Sequence, residues 1–250
     1  MSDTLNRVYQ SVDEANAEQP AATRRQLVAG AAATIGGLGL LGVPGAALAG
    51  GGAAGVNTPE NITNIAATAE VLATIVNTVG GEEVDLDDVT LRNVRAAARE
   101  ELIHYNVLVS PGFGGSPLTK RIWVPDTVFA NATNFLSALE VGDQIFINAY
   151  LIATTVFGNA GNGTVARYAA EFMGAEAVHR ALARQSLGKL GNDRAFMKYS
   201  FNKITTAVSL LQGAGFGFGE RGATPGQFYN FNQVSQRTPN PSGVNTRAPQ

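Results

Sequence analysis

Two four-residue stretches decide the fold of this 250-residue chain: E-L-I-H from Glu101 to His104, and E-A-V-H from Glu176 to His179. The chain has two histidines in all, so each one follows a glutamate by three positions. On an α-helix, this spacing places both side chains on one face about one turn apart. Glutamate supplies charge and oxygen ligands, and neutral imidazole supplies a nitrogen ligand. The repeated pattern therefore predicts two helices that present metal ligands to a common centre.

The neighbours of each pair indicate that both pairs face the protein interior. The wheel face of Glu101 and His104 also carries Val94, Ala97, Tyr105 and Leu108. The face of Glu176 and His179 also carries Val165, Ala169, Phe172, Met173, Ala183 and Leu187. Glu100 lies about 100° from Glu101 on the wheel, so it is expected to be the exposed member of the Glu100-Glu101 doublet. Because a carboxylate buried alone is costly, the two pairs predict bound cations, or a bundle that keeps the motif without ions.

A complete site of this kind draws one further acid from each of two other helices. On the third predicted helix the candidates are Asp143, in the middle of an apolar stripe, and Glu140, at its edge. The central position favours Asp143 and leaves Glu140 as the alternative. The first helix offers Glu70 as its one interior acid. The face of Glu70 carries small residues, which suit either close packing beside a metal or contact with water.

The spacing of helix starts and breakers predicts an all-α fold. Thr58 and Pro59 form a typical helix start, and the pair Gly80-Gly81 is expected to end that helix. The predicted helices run over 59–79, 87–108, 130–157, 164–187 and 193–211. The segment 113–126 carries several glycines and prolines and no useful strand periodicity, which indicates a long crossover loop between the second and third helices.

Composition narrows the function classes. The net charge is −2 and charged residues make up 15 % of the chain, which argues against a nucleic-acid surface. The chain has no cysteine, so thiolate metal sites, iron–sulfur clusters and disulfides are excluded. Any metal must therefore be held by oxygen and imidazole nitrogen.

The first 49 residues have the pattern of a targeting segment. Arg24 and Arg25 precede an uncharged Ala/Gly/Leu stretch that ends in A-L-A, from Ala47 to Ala49. This pattern resembles a twin-arginine export signal with cleavage after Ala49. The resemblance implies the twin-arginine export machinery as a partner and a location in the periplasm, cell envelope or exterior. An uncleaved signal that anchors the chain in the membrane is the alternative.

The remaining chain divides into a helical domain over 50–219 and a tail over 220–250. Four long helices, an accessory fifth and a long crossover form the layout of a four-helix bundle with one crossover connection. The tail is rich in Gly, Pro, Asn and Gln, and it is expected to be irregular, either wrapping the domain or partly disordered.

Together these motifs resemble the ferritin-like superfamily, in particular its exported bacterial branch of desiccation-related proteins. The resemblance covers about residues 59–219 and rests on four runs: A-E-V-L around Glu70, E-L-I-H, D-Q-I-F-I-N-A-Y-L from Asp143, and G-A-E-A-V-H-R ending at Arg180. It implies a ferritin-like four-helix bundle and two iron (or manganese) ions. The ligands it implies are Glu70, Glu101, His104, Asp143, Glu176 and His179. Relatives in this family usually have glutamate where this chain has Asp143.

Such a site suggests an oxidoreductase acting on oxygen, peroxide or iron, although the sequence leaves open whether the chain is an enzyme. Tyr105, Tyr150 and Arg180 are candidates for hydrogen bonding around the ligands. A non-enzymatic envelope or stress-associated module with a degenerate or empty site is the alternative function. An iron-storage cage is less consistent with an export signal and a long tail, and a homo-oligomer is left open.

Overall fold

The structure is a computed structural model that describes residues 56–245, and within this range most residues are helical. The long helices are α1 (Pro59–Glu83), α2 (Asp88–Leu108), α3 (Ala132–Asn159) and α4 (Gly163–Ser186). The main contacts pair α1 with α2 and α3 with α4, and α1–α3 and α2–α4 contacts join the two pairs. Short connections within each pair make its helices antiparallel neighbours. The expectation of a mainly helical fold is thus confirmed.

Each long helix begins at a polar side chain that caps it. The side chain of Thr58 accepts from the Asn61 amide, Asp87 from Val89 and Thr90, Asn131 from Asn134, and Asn162 from Val165. These bonds satisfy amides that have no partner inside the helix. The capped starts lie within two residues of the predicted ones.

The first helix does not end at Gly80-Gly81, as the sequence suggested, but continues to Glu83. Gly80 is needed for packing, because a Cβ atom there would overlap the ring of Phe135 at the start of α3. Phe135 is completely buried. A glycine inside a helix can therefore mark the close approach of another helix as well as a helix end.

Helices α1 and α3 supply much of the apolar core. Both are long and apolar enough to cross a membrane by length and composition, a test that buried core helices also pass. Their most apolar stretches are 89 % and 72 % buried inside the protein. This burial is enough to explain their apolar composition.

The crossover between α2 and α3 is not a simple loop, because it contains strand β1 (Arg121–Pro125) and a 3₁₀ turn (Asp126–Phe129). Strand β2 (Gly217–Phe218), just before the tail, and the tail strand β3 (Gly226–Asn230) flank β1 in an antiparallel sheet of order β2-β1-β3. In this sheet Trp123 lies opposite Gly217 on one side and Phe228 on the other. The tail is therefore less irregular than predicted.

The accessory helix α5 spans Ile204–Gly213, so the predicted start at Asp193 is wrong. The side-chain oxygen of Asn148 on α3 accepts from the Ser200 and Phe201 amides, and its nitrogen donates to the Phe201 carbonyl. These bonds hold the segment before α5 in a non-helical path, since they take backbone groups that a helix would use.

A last short helix, α6 (Phe231–Val234), packs against α1. Phe231 contacts the ring of Tyr105, with centroids 4.4 Å apart. The predicted signal at 1–49, with Arg24, Arg25, Ala47 and Ala49, lies outside the described residues, as do residues 246–250.

Candidate metal centre

Three long helices bring four predicted ligands together in the interior. Glu70 of α1, Glu101 and His104 of α2, and Glu176 of α4 each offer one ligand atom, and these atoms lie within 4.8 Å of one another. The three glutamates are completely buried and His104 is 7 % exposed. Such a cluster of oxygen and nitrogen ligands could hold a metal ion.

The cluster has a second side, formed by His179 of α4. His104 Nδ1 lies 3.4 Å from Glu101 Oε2 and 3.9 Å from Glu176 Oε1. His179 Nδ1 lies 3.1 Å from Glu101 Oε1 and 3.6 Å from Glu176 Oε2. Each of these two glutamates thus turns one oxygen toward each histidine. Glu70 Oε1 belongs to the His104 side, at 3.7 Å from Nδ1.

The spacing of these atoms suits an ion between them. A ligand atom bound to a first-row metal lies about 2.0–2.2 Å from it, so two ligands of one ion are roughly 3–4 Å apart. The separations above, from 3.1 to 3.9 Å, fall in that range. The side chains therefore fit a metal on geometric grounds.

Most of these ligand atoms have no hydrogen-bond partner among the residues described. The atoms concerned are Glu70 Oε2, both oxygens of Glu101 and of Glu176, Asp143 Oδ2, and the Nδ1 atoms of His104 and His179. Buried polar atoms are nearly always paired, and an unpaired carboxylate oxygen is costly. Because so many of the orphaned atoms converge on one point, this region has the chemistry of a cation site.

The two α3 candidates have different surroundings. Glu140 Oε1 accepts from Arg184 Nη1, and Oε2 accepts from Lys189 Nζ, both at 2.6 Å. Asp143, in contrast, lines a cleft together with His179 and keeps one orphaned oxygen. Since both Glu140 oxygens are paired with cations of the protein, Asp143 is the α3 acid with capacity for a metal.

Glu140 belongs to a separate group of buried charges, here termed the ion-pair cluster: Arg180, Arg184, Lys189, Asp193 and Glu140. Arg180 forms a bidentate pair with Asp193, at 2.9 and 3.1 Å. Arg184 Nη2 also lies 3.2 Å from Asp193 Oδ2. Arg180 was predicted to hydrogen-bond near the ligands, and its direct partner is Asp193.

Glu100 is a neighbour of the centre that the sequence did not suggest. Its Oε2 lies 2.6 Å from His179 Nε2, and 34 % of its side chain is exposed. A carboxylate at Nε2 accepts the proton of that nitrogen and leaves Nδ1 to face Glu101 and Glu176. Glu100 is the more exposed member of the Glu100-Glu101 doublet, as predicted. The wheel angle did not show its contact with His179, because the Glu100 side chain is long enough to reach α4.

The predicted tyrosines have different positions. The Tyr150 hydroxyl donates to Glu70 Oε1, so this residue does hydrogen-bond a ligand. Tyr105 packs on Phe231 instead, away from the orphaned atoms. On the His104 side, Phe172 covers the imidazole, with ring centroids 4.3 Å apart.

Burial and contacts between the side chains shift the pKa values of the two histidines and of Glu101. Burial opposes ionisation of His104, but contacts with Glu101 and Glu70 outweigh it and raise its pKa to about 10. The pKa of His179 is raised well above its usual value because Glu101 and Glu100 outweigh the cost of burial. Burial also opposes ionisation of Glu101, yet the two histidines lower the pKa of Glu101.

The other acids resist ionisation. Burial, reinforced by the charge of Glu101, raises the pKa of Glu70 to about 8 and that of Glu176 well above its usual value. Burial raises the pKa of Asp143 too, and His179 only partly offsets it. The cluster thus retains protons that a bound cation would replace.

Comparison of the chain with protein-family models, curated proteins and solved structures finds no match.

Proposed function

We propose that this protein is an exported ferritin-like metalloprotein that binds two iron or manganese ions and acts on oxygen, peroxide or iron. The observation that carries the proposal is the convergence of orphaned, buried ligand atoms on two sides of one carboxylate pair. Glu101 and Glu176 each direct one oxygen to His104 and the other to His179. Two ions, one at each histidine, would share these carboxylates as bridges.

The ligands divide between the two positions. Glu70 and His104 would complete the first position, because Glu70 Oε1 lies 3.7 Å from His104 Nδ1. Asp143 and His179, which line the same cleft, would complete the second. The set contains four carboxylates and two imidazoles, a composition that suits iron and manganese.

A pair of such ions supplies a two-electron couple for oxygen or peroxide. The protein's own residues hold and shield it. Tyr150 donates a hydrogen bond to Glu70, and Glu100 orients His179 through Nε2. Phe172 covers His104 and keeps water from that face. The location outside the cytoplasm rests on the paired arginines and the A-L-A sequence before residue 50.

Elemental analysis tests the proposal. The mature chain is expressed with iron or with manganese, and its metal content and optical spectrum are measured beside those of a His104→Ala/His179→Ala double variant. We expect about two ions per chain in the wild type and a large loss in the double variant. Glu171→Gln is the matched control, because Glu171 is exposed and pairs with Arg167 on the outside of α4.

A wild-type content below about one ion per chain would contradict the proposal, since two positions are required. The chain would then use its helices as a structural module, with ionised Glu100 and Glu101 balancing the charge of the two histidinium ions and the other acids held protonated in the core.

A further inference from the structure

A cleft connects the surface with the His179 side of the centre. It lies among α1, α2, α3 and α4. Ser186, which is exposed, and Asn93, which is half-buried, line its outer part. Asp143 and His179 form its buried end. The cleft therefore joins solvent to two of the candidate ligands.

The mouth of the cleft carries uncharged polar side chains, and apolar side chains of valine, leucine and alanine line much of its wall. The Thr90 hydroxyl donates to Asp87 and lies 2.8 Å from the Ser186 hydroxyl, so the two hydroxyls bridge α2 and α4 across the opening. Hydroxyl and amide oxygens can replace the water ligands of a small cation one at a time. Thr90 is buried and Ser186 is exposed, so the Ser186 hydroxyl can exchange its bond to Thr90 for bonds to water at a small cost.

The surface beside the opening is acidic. Between residues 82 and 95 the chain has five acids, at positions 82, 83, 85, 87 and 88, and two arginines, at 92 and 95. Glu82 pairs with Arg237, whereas Asp85 and Asp88 are exposed. Asp87 contacts the lining directly through Thr90. Such a patch raises the local concentration of cations.

At the inner end, the cleft presents atoms that can receive a cation. Asp143 Oδ2 and His179 Nδ1 are buried and have no hydrogen-bond partner among residues 56–245. The next candidate ligand atom, Glu101 Oε1, lies 3.1 Å from His179 Nδ1. A cation that reaches Asp143 thus meets the next ligands of the centre without crossing an apolar region.

The opposite side of the centre has a different cavity. Its lining is apolar except for Thr63 and Tyr150. The Tyr150 hydroxyl is already bonded to Glu70, and the cavity is lined by no carboxylate. A divalent cation would lose its hydration there without compensation, at high cost.

We propose that the cleft between Ser186 and Asp143 is the route by which divalent cations reach the centre, with Asp143 as the first carboxylate they meet. This inference rests on the proposed function, because it presumes that the centre binds metal. The acidic segment at 82–88 attracts the cation, the Thr90–Ser186 contact opens, and the ion passes Ala183 to reach Asp143 and His179.

The test measures how fast the metal-free protein takes up Co²⁺, followed by the visible spectrum of the bound ion and by its final content. Ala183→Leu narrows the cleft, and Ala169→Leu is the matched control. Both alanines are 5 % exposed on α4, but Ala169 lines the apolar cavity. We expect Ala183→Leu to slow uptake at least about tenfold, an added barrier of about 1.4 kcal/mol, with unchanged final content. Ala169→Leu is expected to match the wild type.

A second arm tests the acidic approach. Asp85→Asn/Asp88→Asn is expected to slow uptake at low salt and to make the rate less sensitive to salt, because it removes two attracting charges. Glu171→Gln, which removes an acid elsewhere on the surface, is the control.

The outcomes are distinguishable. If the wild type binds no Co²⁺ at equilibrium, the proposed function fails. If it binds Co²⁺ and Ala183→Leu takes it up as fast as the wild type, or if Ala169→Leu slows uptake equally, the route is overturned. Should Ala183→Leu fail to fold by circular dichroism, Ala97→Val narrows the same cleft from α2 and replaces it.

Discussion

The protein buries acidic side chains in two places, and it treats them differently. In the ion-pair cluster, Glu140 is 2 % exposed and each of its oxygens receives a cation of the protein, Arg184 or Lys189. In the candidate metal centre, Glu101 and Glu176 are completely buried and none of their four oxygens has a hydrogen-bond partner among the described residues. The fold thus pairs Glu140 with an arginine and a lysine, whereas the oxygens of Glu101 and Glu176 have no such partner.

This difference separates an acid that is paired within the protein from acids that could bind a metal ion. Burying a carboxylate is tolerable where arginine or lysine pairs with it in good geometry. Where only imidazoles are near, the pKa values shift so that protons neutralise the group, as the raised pKa values of Glu70 and His104 indicate. A cation from outside can then take the place of those protons. The contrast within one chain favours a metal site over a buried salt-bridge network.

The largest effect is expected from Glu140→Gln. It leaves Arg184 and Lys189 buried without their shared carboxylate, so we expect a loss of about 3–5 kcal/mol in the free energy of unfolding. Chemical denaturation of the metal-free protein measures this loss. The metal content of the folded variant should stay that of the wild type. If Glu140→Gln instead removed the metal and left stability unchanged, Glu140 would be a metal ligand and not part of a stabilising ion pair.

Glu176→Gln is expected to weaken metal binding and leave the stability of the metal-free protein unchanged. It keeps the shape of the side chain but removes an oxygen from the ligand set, so the metal affinity should fall by more than the roughly 10- to 100-fold caused by loss of an indirect partner. The metal-free protein should not lose stability, since the replaced carboxylate had no protein cation as partner. Competition with a chelator measures the affinity. A strongly destabilised metal-free variant with full metal affinity would contradict the ligand assignment.

The effect of pH should differ between the metal-free and metal-loaded protein. The pKa of Glu70 rises from 4.5 to about 8 on folding, so metal-free stability falls as pH increases through that interval. The raised pKa of His104 favours the folded state below 6.5, and this gain is lost as pH approaches 10. Glu101, with a lowered pKa, is ionised in both states above pH 6 and contributes no slope there.

We therefore expect the Tm of the metal-free protein to fall by at least about 3 °C between pH 6 and pH 9, the equivalent of about 1 kcal/mol. The metal-loaded protein should lose less, because its ligands are already deprotonated. Calorimetric scans at fixed metal concentration compare the two. If the Tm changed with pH in the same way with and without metal, these groups would not lose their protons when the metal binds.

The long helices and the inward orientation of the two E-x-x-H pairs could be predicted from the sequence, for a physical reason. Apolar spacing within one helix is local information, and the burial of Glu101 and Glu176 follows from their neighbours on the wheel. The pair Thr58-Pro59 predicted the start of α1 in the same way. Glu70, whose face was ambiguous, is completely buried in the cluster.

What the sequence did not predict depends on distant contacts. Strand β1 forms because β2 and β3, more than 80 positions away, pair with it, and no local alternation marks such short strands. Gly80 does not end α1, because the neighbouring Phe135 ring is what requires a glycine there. The two cationic side chains that pair with Glu140 are Arg184 and Lys189, and both lie more than 40 positions after it in the chain. Their pairing could not be inferred from the edge position of Glu140 on the wheel.

Glu100 lies between the two classes of acid and should show the smallest effect. It contacts a histidine of the centre, yet it is 34 % exposed and its partner is the outward nitrogen, Nε2. Glu100→Gln keeps an oxygen that can accept from Nε2 but removes the charge that makes the imidazole a stronger ligand. We expect metal affinity to fall about tenfold, the lower end of the range for carboxylates behind a ligating histidine.

Chelator competition and the visible spectrum of the Co²⁺ form measure this change, with Glu171→Gln on α4 as the control for loss of a partly exposed acid. The Tm of metal-free Glu100→Gln should stay close to that of the wild type, so a change in affinity or in the Co²⁺ spectrum would reflect the histidine and not the fold. If affinity and spectrum both stayed at the wild-type values, Glu100 would be a surface partner of His179 with no influence on the ligand set. The metal centre would then depend only on the acids that the protein leaves without a cation.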